Sequence, residues 1–536
     1  MKVRSDNSLL GGVTSRRRPR RLATALTTSL VAGALAIAAP TPATVAAAGV
    51  TTENGCITSV PDPGTTAPVR ICYTLFKPFG ARPSSPVPLV FHSHGWAGSR
   101  TTDPAAFADF LNAGFGVLSF DQRGFGESGG KAHIMNPDVE GKDVQLLVDF
   151  VTPRRWIAKE APGDPVLGAI GGSYGGGYQF VGAFSELRDR GATRFDVLAP
   201  EITWFDVNES LAPRGVARTL WASLLYAAGT QSDANTTVVS QSLLESVATS
   251  DWPPALRRFL NRNGPVWHVA QGRKLDIPVL LGQGANDNLF PLDQGLKNFQ
   301  RSLTPRARAR SILVGYNGGH TLPSVLPAGA PEAAELFTNI ANGGLTGNDP
   351  CSRKLGSSTF RALSLRFFQE QLQGKATGLR GRGKYHLATV AGRCVTVTDT
   401  TASRSVDVDG VITTVGVGVP QQIPLASGPM TLAGSPRLDA TVTSLALDGR
   451  VFLGLAVGTS PANAKIVQNN MLPLRQAGID PRRRTGVELP SIAVDVKAGQ
   501  TLYLTVSPIS DMSFGHGSRV PGAMTLDRVR VHLPVR

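Results

Sequence analysis

Residues 166–175 (VLGAIGGSYG) constrain this chain more than any other stretch. Residues 166–171 are apolar or glycine throughout, as in a strand covered on both faces. Gly171-Gly172-Ser173-Tyr174-Gly175 follows at once, and residues 178–188 read as a helix. The backbone must therefore pass from strand to helix in one tight turn. Cβ atoms would collide there, which is why glycines flank the serine, and the serine itself must take a positive φ. This G-x-S-x-G arrangement lifts a hydroxyl above the carboxyl end of a parallel strand.

The flanking sequence supplies the rest of such a sheet. Residues 87–92 (VPLVFH), 116–121 (GVLSFD), 197–202, 277–282 (IPVLLG) and 311–314 (SILV) are short apolar runs. Helix-like stretches separate them: residues 107–113, then 141–151 with Val144, Leu147 and Val148 on one face. Apolar strands alternating with helices predict an α/β fold with a parallel sheet covered on both sides. Between 206 and 271 the period changes. Leu220, Leu224 and Leu225, then Leu243, Leu244 and Val247, then Leu256, Phe259 and Leu260 recur at helical spacing, which predicts an inserted helical cap. Residues 360–372 read as the helix that closes this domain. Beyond 378 the period is two, in about eight short strands separated by Gly, Pro and Asp turns. A β-sandwich, of jelly-roll type, is the expectation for 378–536.

The N-terminus has the character of an export signal. A basic cluster at Arg16–Arg18, Arg20 and Arg21 precedes the small apolar stretch 22–39, and Ala46-Ala47-Ala48 follows as a cleavage sequence. The expected domains are therefore a signal at 1–48, a catalytic domain at 49–377 and the β-sandwich at 378–536. Either the general or the twin-arginine route suits the signal. The apolar stretch is too short and too rich in Ala and Thr for a spanning anchor, so no stable membrane insertion is expected after cleavage. Net charge is +15, but residues 1–48 carry seven basic residues and one acid, which leaves +9 for the rest. That mild excess, without basic runs, points away from nucleic acid. Cys56, Cys72, Cys351 and Cys394 all follow the signal, as an oxidising compartment requires. Three pairings exist; Cys56–Cys72 across a hairpin at Pro61-Asp62-Pro63-Gly64, with Cys351–Cys394, is favoured.

A serine hydroxyl needs a base, and the base needs an orienting acid. In this architecture the chain order is serine, acid, histidine. Asp287 follows the strand at 277–282, and His320 in Gly318-Gly319-His320 follows the strand at 311–314, so both are expected at the same sheet edge as Ser173. Asp276 and Asp293 lie close in sequence as alternatives. Oxyanion donors are expected from the backbone N–H groups of Tyr174, next after the nucleophile, and of Trp96 in His94-Gly95-Trp96. His92 and His94 lack a third ligand at metal spacing, and residues 121–128 (DQRGFGES) lack the Lys-Ser/Thr ending of a phosphate loop. No cofactor or metal is called for.

With these residues in view, the chain resembles α/β-hydrolases, and within them the X-Pro dipeptidyl-peptidases and cocaine-esterase-like (CocE/NonD) acylhydrolases. Ser173-Tyr174-Gly175-Gly176-Gly177-Tyr178-Gln179 resembles that group's S-Y-x-G-x-x-Q elbow. Thr203-Trp204-Phe205-Asp206, with residues 210–216 (SLAPRGV), is similar to its entry into the cap. The resemblance implies Ser173 as nucleophile, Asp287 as orienting acid, His320 as base and Tyr174 as an oxyanion donor. Many members draw the second donor from a tyrosine in the loop that here reads His-Gly-Trp, so Trp96 would serve through its backbone. The activity implied is hydrolysis of an ester or a peptide amide through an acyl-enzyme. The alternatives are a carboxylesterase or an acyltransferase acting on cell-envelope or small-molecule esters, or a binding protein that uses the β-sandwich for attachment.

Overall fold

Alternating side chains in the central strands divide between two separate apolar cores, one on each face of the sheet. Leu89 and Phe91 enter the first and Val90 the second; Leu313 enters the first, Ile312 and Val314 the second. The coordinates, a computed structural model, describe residues 49–320, 349–416, 418–446, 448–513 and 523–536. The signal expected over 1–48 lies outside the described residues.

The sheet has ten strands: β1 (Thr51–Ser59), β2 (Val69–Lys77), β3 (Leu89–Ser93), β4 (Gly116–Phe120), β5 (Leu167–Gly172), β6 (Val197–Glu201), β7 (Leu280–Gly284), β8 (Ile312–Tyr316), β9 (Tyr385–Ala388) and β10 (Cys394–Val397). Their spatial order is β1-β2-β4-β3-β5-β6-β7-β8-β9-β10. From β4 to β9 every pairing is parallel, and antiparallel strands flank both ends. Helices α1 (Glu140–Val151) and α2 (Tyr174–Arg190) cover one face through Val144, Leu147, Phe180 and Phe184. The later helix Phe360–Gln373 covers the other through Phe360, Leu363, Phe367 and Phe368. The α/β fold expected from the apolar runs is the one observed.

One expected boundary differs. Residues 395–397 were expected in the β-sandwich, but β9 and β10 extend the first sheet, with β9 parallel to β8. The first region therefore runs on to about residue 397, and the helix at 360–373 does not close it. Strands this short, followed by more strands, look alike in sequence whichever sheet they join.

Between β6 and β7 the described chain is helical, as the changed period predicts: α3 (Val207–Leu211), α4 (Thr219–Gln231), α5 (Thr237–Thr249), α6 (Pro254–Leu260) and α7 (Pro265–Ala270). The C-terminal region pairs antiparallel throughout. Arg404–Val408, Ala523–Leu533, Arg437–Ser444 and Arg482–Glu488 make one sheet; Gln421–Ser427, Thr501–Ser507, Asp448–Gly458 and Lys465–Ile466 make another. Leu438, Val442 and Val531 from the first share one core with Leu453, Leu504 and Val506 from the second, which makes the region a sandwich.

The sandwich rests on the cap and on the loop after β7. The Arg214 guanidinium donates to the Pro473 and Glu488 carbonyls. Arg450, fully buried, pairs with Asp251 at 2.7 Å and with Asp448 at 2.6 Å. Asp293 accepts from the Ser491 hydroxyl at 2.6 Å. Two disulfides are present, Cys56–Cys72 and Cys351–Cys394, the pairing favoured from the sequence.

Candidate active site

The turn after β5 has the geometry its glycines demand. Ser173 takes φ 58° and ψ −122°, strained for a side chain with a Cβ. A Cβ on Gly171 would lie 2.5 Å from the Gly175 carbonyl oxygen, and one on Gly175 would overlap the Ser93 carbonyl oxygen. The Ser173 N–H donates to the Glu201 carbonyl at 2.9 Å, and the Ser173 carbonyl accepts from Gly176 and Gly177 as α2 begins. Gln179 braces the turn from below. Its amide nitrogen donates to the Gly171 and Gly175 carbonyls at 3.1 Å each, and its oxygen accepts from the Ala199 N–H. Ser173 is half-buried.

Asp287 and His320 meet. Asp287 is fully buried; its Oδ1 accepts from the Leu289 and Phe290 N–H groups at 2.9 Å each. That leaves Oδ2 facing His320 Nδ1 at 2.8 Å. A Cβ on Gly319 would lie 2.6 Å from Asp287 Cβ, so the glycine before the histidine is what lets the two loops close. The His320 ring stands edge-on to Phe290 and Trp221, with centroids 5.4 and 6.1 Å away. The competing carboxylates are engaged elsewhere: Asp276 with Arg306 and Thr304 at the surface, Asp293 with Ser491. Ser173, Asp287 and His320 thus follow the carboxyl ends of β5, β7 and β8, with β6 lying between the first two.

The loop after β3 sits against the turn. Gly95 faces Ser173; a Cβ placed on it would be 3.7 Å from Ser173 Cβ. Gly98 N–H closes a turn onto the Gly95 carbonyl, a bond that does not use the Trp96 N–H. The Trp96 indole is pinned by its own N–H to the Leu225 carbonyl of α4 and by edge contacts with Tyr174 and Phe125. Tyr174 is the first residue of α2, where N–H groups have no acceptor within the helix.

The histidines weighed as a metal pair are each engaged within the fold, His94 buried and His92 half-buried. His92 Nδ1 lies 3.0 Å from the Ser119 hydroxyl, and burial pulls its pKa down to about 3. His94 Nε2 accepts from the Gln122 N–H at 3.0 Å. In the loop after β4, Asp121 accepts from Arg100 and from the Glu127 N–H, which makes this a structural turn. Among the described residues no group of three or more His, Cys, Asp or Glu side chains is arranged to hold a metal. No described helix is long and apolar enough to cross a membrane.

Other groups at the site carry no motif. Glu201, at the end of β6, accepts from the Tyr316 hydroxyl at 2.7 Å, and burial pushes its pKa up to about 7. Trp221 of α4 donates to Asn288 Oδ1 at 3.0 Å, next to Asp287. Asn470 reaches from the sandwich to the Asp287 carbonyl at 3.4 Å. A tryptophan or an asparagine inside a cap or a sandwich gives no sequence signal of where it will point.

Comparison with known proteins agrees with this architecture. Residues 67–321, from the start of β2 to just past His320, match the family described as X-Pro dipeptidyl-peptidase (S15 family). Among solved structures, a CocE/NonD family hydrolase from Staphylococcus aureus superposes with a TM-score of 0.58 at 11% identity, over 90% of this chain and 97% of its own. An α-amino acid ester hydrolase does so with 0.57 at 13% identity, over 92% and 98%. An aminopeptidase from a marine-sediment Thaumarchaeota archaeon does so with 0.59 at 11% identity, over 92% and 98%. At these identities the structural likeness is one of fold. A curated Escherichia coli protein, an uncharacterized 31.7 kDa protein of the traX-finO intergenic region, is 32% identical over 102 residues, 19% of this chain and 34% of its own length. The chain thus spans about a third of the curated relatives it matches. The resemblance read from the elbow is borne out by the family match over residues 67–321 and by the fold.

Proposed function

We propose that this protein is an exported serine hydrolase that cleaves an ester or amide bond through an acyl-enzyme, with Ser173 as nucleophile, His320 as base and Asp287 as the acid that orients it. The observation that carries the reading is the Asp287–His320 bond. A fully buried carboxylate has one oxygen held by two backbone N–H groups and the other 2.8 Å from Nδ1. An imidazole that donates from Nδ1 presents an unprotonated Nε2, the tautomer a base requires. It stands on the sheet edge that carries a strained serine.

In the first half-reaction Ser173 Oγ bonds to the substrate carbonyl carbon as its proton passes to His320 Nε2. The oxyanion takes hydrogen bonds from the Tyr174 and Trp96 N–H groups. The bond to the leaving alcohol or amine breaks, and His320 returns the proton to it. In the second half-reaction water bonds to the acyl carbon, His320 takes its proton, and Ser173 Oγ leaves reprotonated with release of the acid. Export is proposed on the two disulfides and the segment 1–48, and small esters or peptides are the proposed substrates.

The test is a panel of p-nitrophenyl acyl esters and aminoacyl-prolyl p-nitroanilides on the exported protein, with fluorophosphonate labelling of the serine. Ser173→Ala is expected to lose labelling and to lower kcat by about 10⁴-fold or more on whichever class is cleaved. Unchanged turnover in that variant sinks the mechanism. The ratio of ester to anilide turnover assigns the protein to the esterase or the dipeptidyl-peptidase class.

A further inference from the structure

Two residues end their strands beside the proposed triad without belonging to any motif. Glu201 is the last residue of β6 and Tyr316 the last of β8. The Tyr316 hydroxyl donates to Glu201 Oε1 at 2.7 Å, although β7 lies between the two strands. The register explains how the phenol crosses. Glu201 is level with Gly282 of β7 and Tyr316 with Gly284, so the intervening strand presents no side chain on their face. The crossing covers two strand spacings, roughly 10 Å. Tyr316 is fully buried, with its ring 6.2 Å from that of Phe360.

The backbones of the same two residues hold the loops of the proposed triad. The Glu201 carbonyl accepts from the Ser173 N–H at 2.9 Å. The Tyr316 carbonyl accepts from the Ala285 N–H at 2.7 Å, at the start of the loop that carries Asp287. From Tyr316 the chain runs through Asn317, Gly318 and Gly319 to His320. A Cβ on Gly284 would overlap the Gly318 carbonyl oxygen, so this loop rests directly on the end of β7. One side-chain bond therefore joins the strand end that anchors the serine to the strand end that pins the acid loop and releases the histidine. Among the described residues Glu201 forms no ion pair. Burial pushes its carboxyl up to about 7; the Tyr316 hydroxyl, Arg361 and His320 draw it down, and Asp349 adds to the rise. Arg361 is itself paired with Asp109. An apolar pair of the same size would fill this space at lower cost, and folds keep such carboxyls where they serve a site.

Resting on the hydrolase reading above, we infer that Glu201 is a positioning residue for the reaction: through the Tyr316 hydroxyl it braces the ends of β6 and β8 and so fixes the spacing between Ser173 Oγ and His320 Nε2. The brace touches neither the substrate nor the travelling proton. It acts because proton transfer from serine to imidazole tolerates little displacement; a misplacement of about 1 Å costs on the order of 100-fold in rate.

The experiment uses the full-length exported protein and whichever ester or anilide it turns over. Tyr316→Phe removes only the hydroxyl, Glu201→Leu removes the acceptor, and Glu201→Gln keeps an acceptor in the same place. The first two are expected to lower kcat and the rate of fluorophosphonate labelling at Ser173 by about 10- to 100-fold, with KM changed by less than about twofold. Glu201→Gln should keep kcat within about threefold of the original. Combining Tyr316→Phe with Glu201→Leu leaves neither partner orphaned. The urea midpoint should then recover from its value in the single variants, while kcat stays as low as in the worse of them. Recovery of kcat together with the midpoint marks a merely structural bond and overturns this inference, leaving the hydrolase reading intact. Single variants with unchanged kcat, or with a raised KM at unchanged kcat, overturn it equally. Should the Leu variants fail to fold, Tyr316→Phe set against Glu201→Gln decides: a loss of kcat in the first and not in the second supports the brace, and equal effects overturn it. Absence of all ester and anilide turnover in the unaltered protein, together with absence of labelling at Ser173, overturns both readings.

Discussion

The two halves of this molecule hold their shape in different ways. In the first, conformational strain and buried ionisable groups gather at strand ends. In the second, regular antiparallel strands close over one large aliphatic core, with a smaller cluster around Ala456, Ile466 and Tyr503. Non-glycine residues with positive φ occur at a similar rate in both, Ala97, Ile134, Met135, Ser173, Ile202, Arg214, Asp233 and Ser250 in the first half and, among the described residues, Gln468, Asn469 and Arg528 in the second, but Ser173 and Ile202 take it directly after central parallel strands. Carboxyls pushed up by burial mark the division. Glu140 reaches about 8, with Asp196 and Glu201 at about 7, all before residue 210. Strain persists only where surrounding structure enforces it, so the half that would do the chemistry is also the half that resists substitution.

The largest expected break in that contrast is in activity. Asp287→Ala should lower kcat by about 10⁴-fold while the urea midpoint moves little in comparison, because the loss is of an oriented imidazole rather than of packing. Next comes a place where, among the described residues, the second half uses a buried charge as the first half does. Arg450→Met leaves Asp251 and Asp448 to Arg475, which also pairs with both, and should cost about 2 kcal/mol in urea unfolding. Fluorophosphonate labelling of Ser173 should continue at its original rate up to the lowered midpoint. An equal loss of labelling in native conditions would mean that the sandwich tunes the site directly.

Glycine substitutions test the two halves with the same chemical change. Gly175→Ala drives a Cβ into the Ser93 carbonyl and should cost on the order of 3 kcal/mol, with loss of labelling. Gly499→Ala, at φ 79° in an open turn of the sandwich, has nothing within 4 Å of the new Cβ and should cost about 1 kcal/mol. Comparable costs at both positions would erase the distinction.

The smallest expected effect is in pH. Glu140, Asp196 and Glu201 have folded pKa values above those of the unfolded chain, so the stability they contribute is complete below about pH 4 and is lost as pH rises through 7 to 8. His92 and His268 are depressed to about 3, so theirs is complete above about pH 6.5 and is lost as pH falls toward 3. The two windows overlap between about pH 4 and 6.5, so the urea midpoint should pass through a maximum near about pH 5, where the opposing slopes balance, and decline toward pH 3 on one side and pH 8 on the other. Glu140→Gln should flatten the alkaline decline. All five groups belong to the first half, so a pH-insensitive midpoint would contradict its description as the titrating half.

Much of the first half was legible because strands buried on both faces are unbroken apolar runs, and because a strand–glycine–serine–helix sequence has few folded solutions. The proposed Ser173, Asp287 and His320 follow from that turn and from chain order. The proposal of Asp287 over Asp276 and Asp293 gains its support from the structure, where Arg306 and Ser491 engage the other two. The sandwich was legible as a class but not strand by strand. Arg482–Glu488 (RRRTGVE) has no alternation to read because it lies at the margin of its sheet with most of its side chains partly or fully exposed. Leu472–Ala477 carries a proline that argues against a strand, tolerated here because it pairs on one side only, with Asp448–Gly458. Trp221 and Asn470 were beyond reach, since their positions come from how the cap and the sandwich meet the loop after β7.

The two disulfides sit at opposite margins of the ten-stranded sheet: Cys56–Cys72 joins its first two strands, and Cys351–Cys394 fastens its last. Outermost strands are where a sheet opens most readily, and where an open edge recruits a neighbouring chain. A copy held in a reducing cytoplasm would thus loosen from both hems inward, its middle strands intact and its borders free to stick. Amide exchange in dithiothreitol should begin at residues 51–59 and 394–397 well before it reaches residues 167–172.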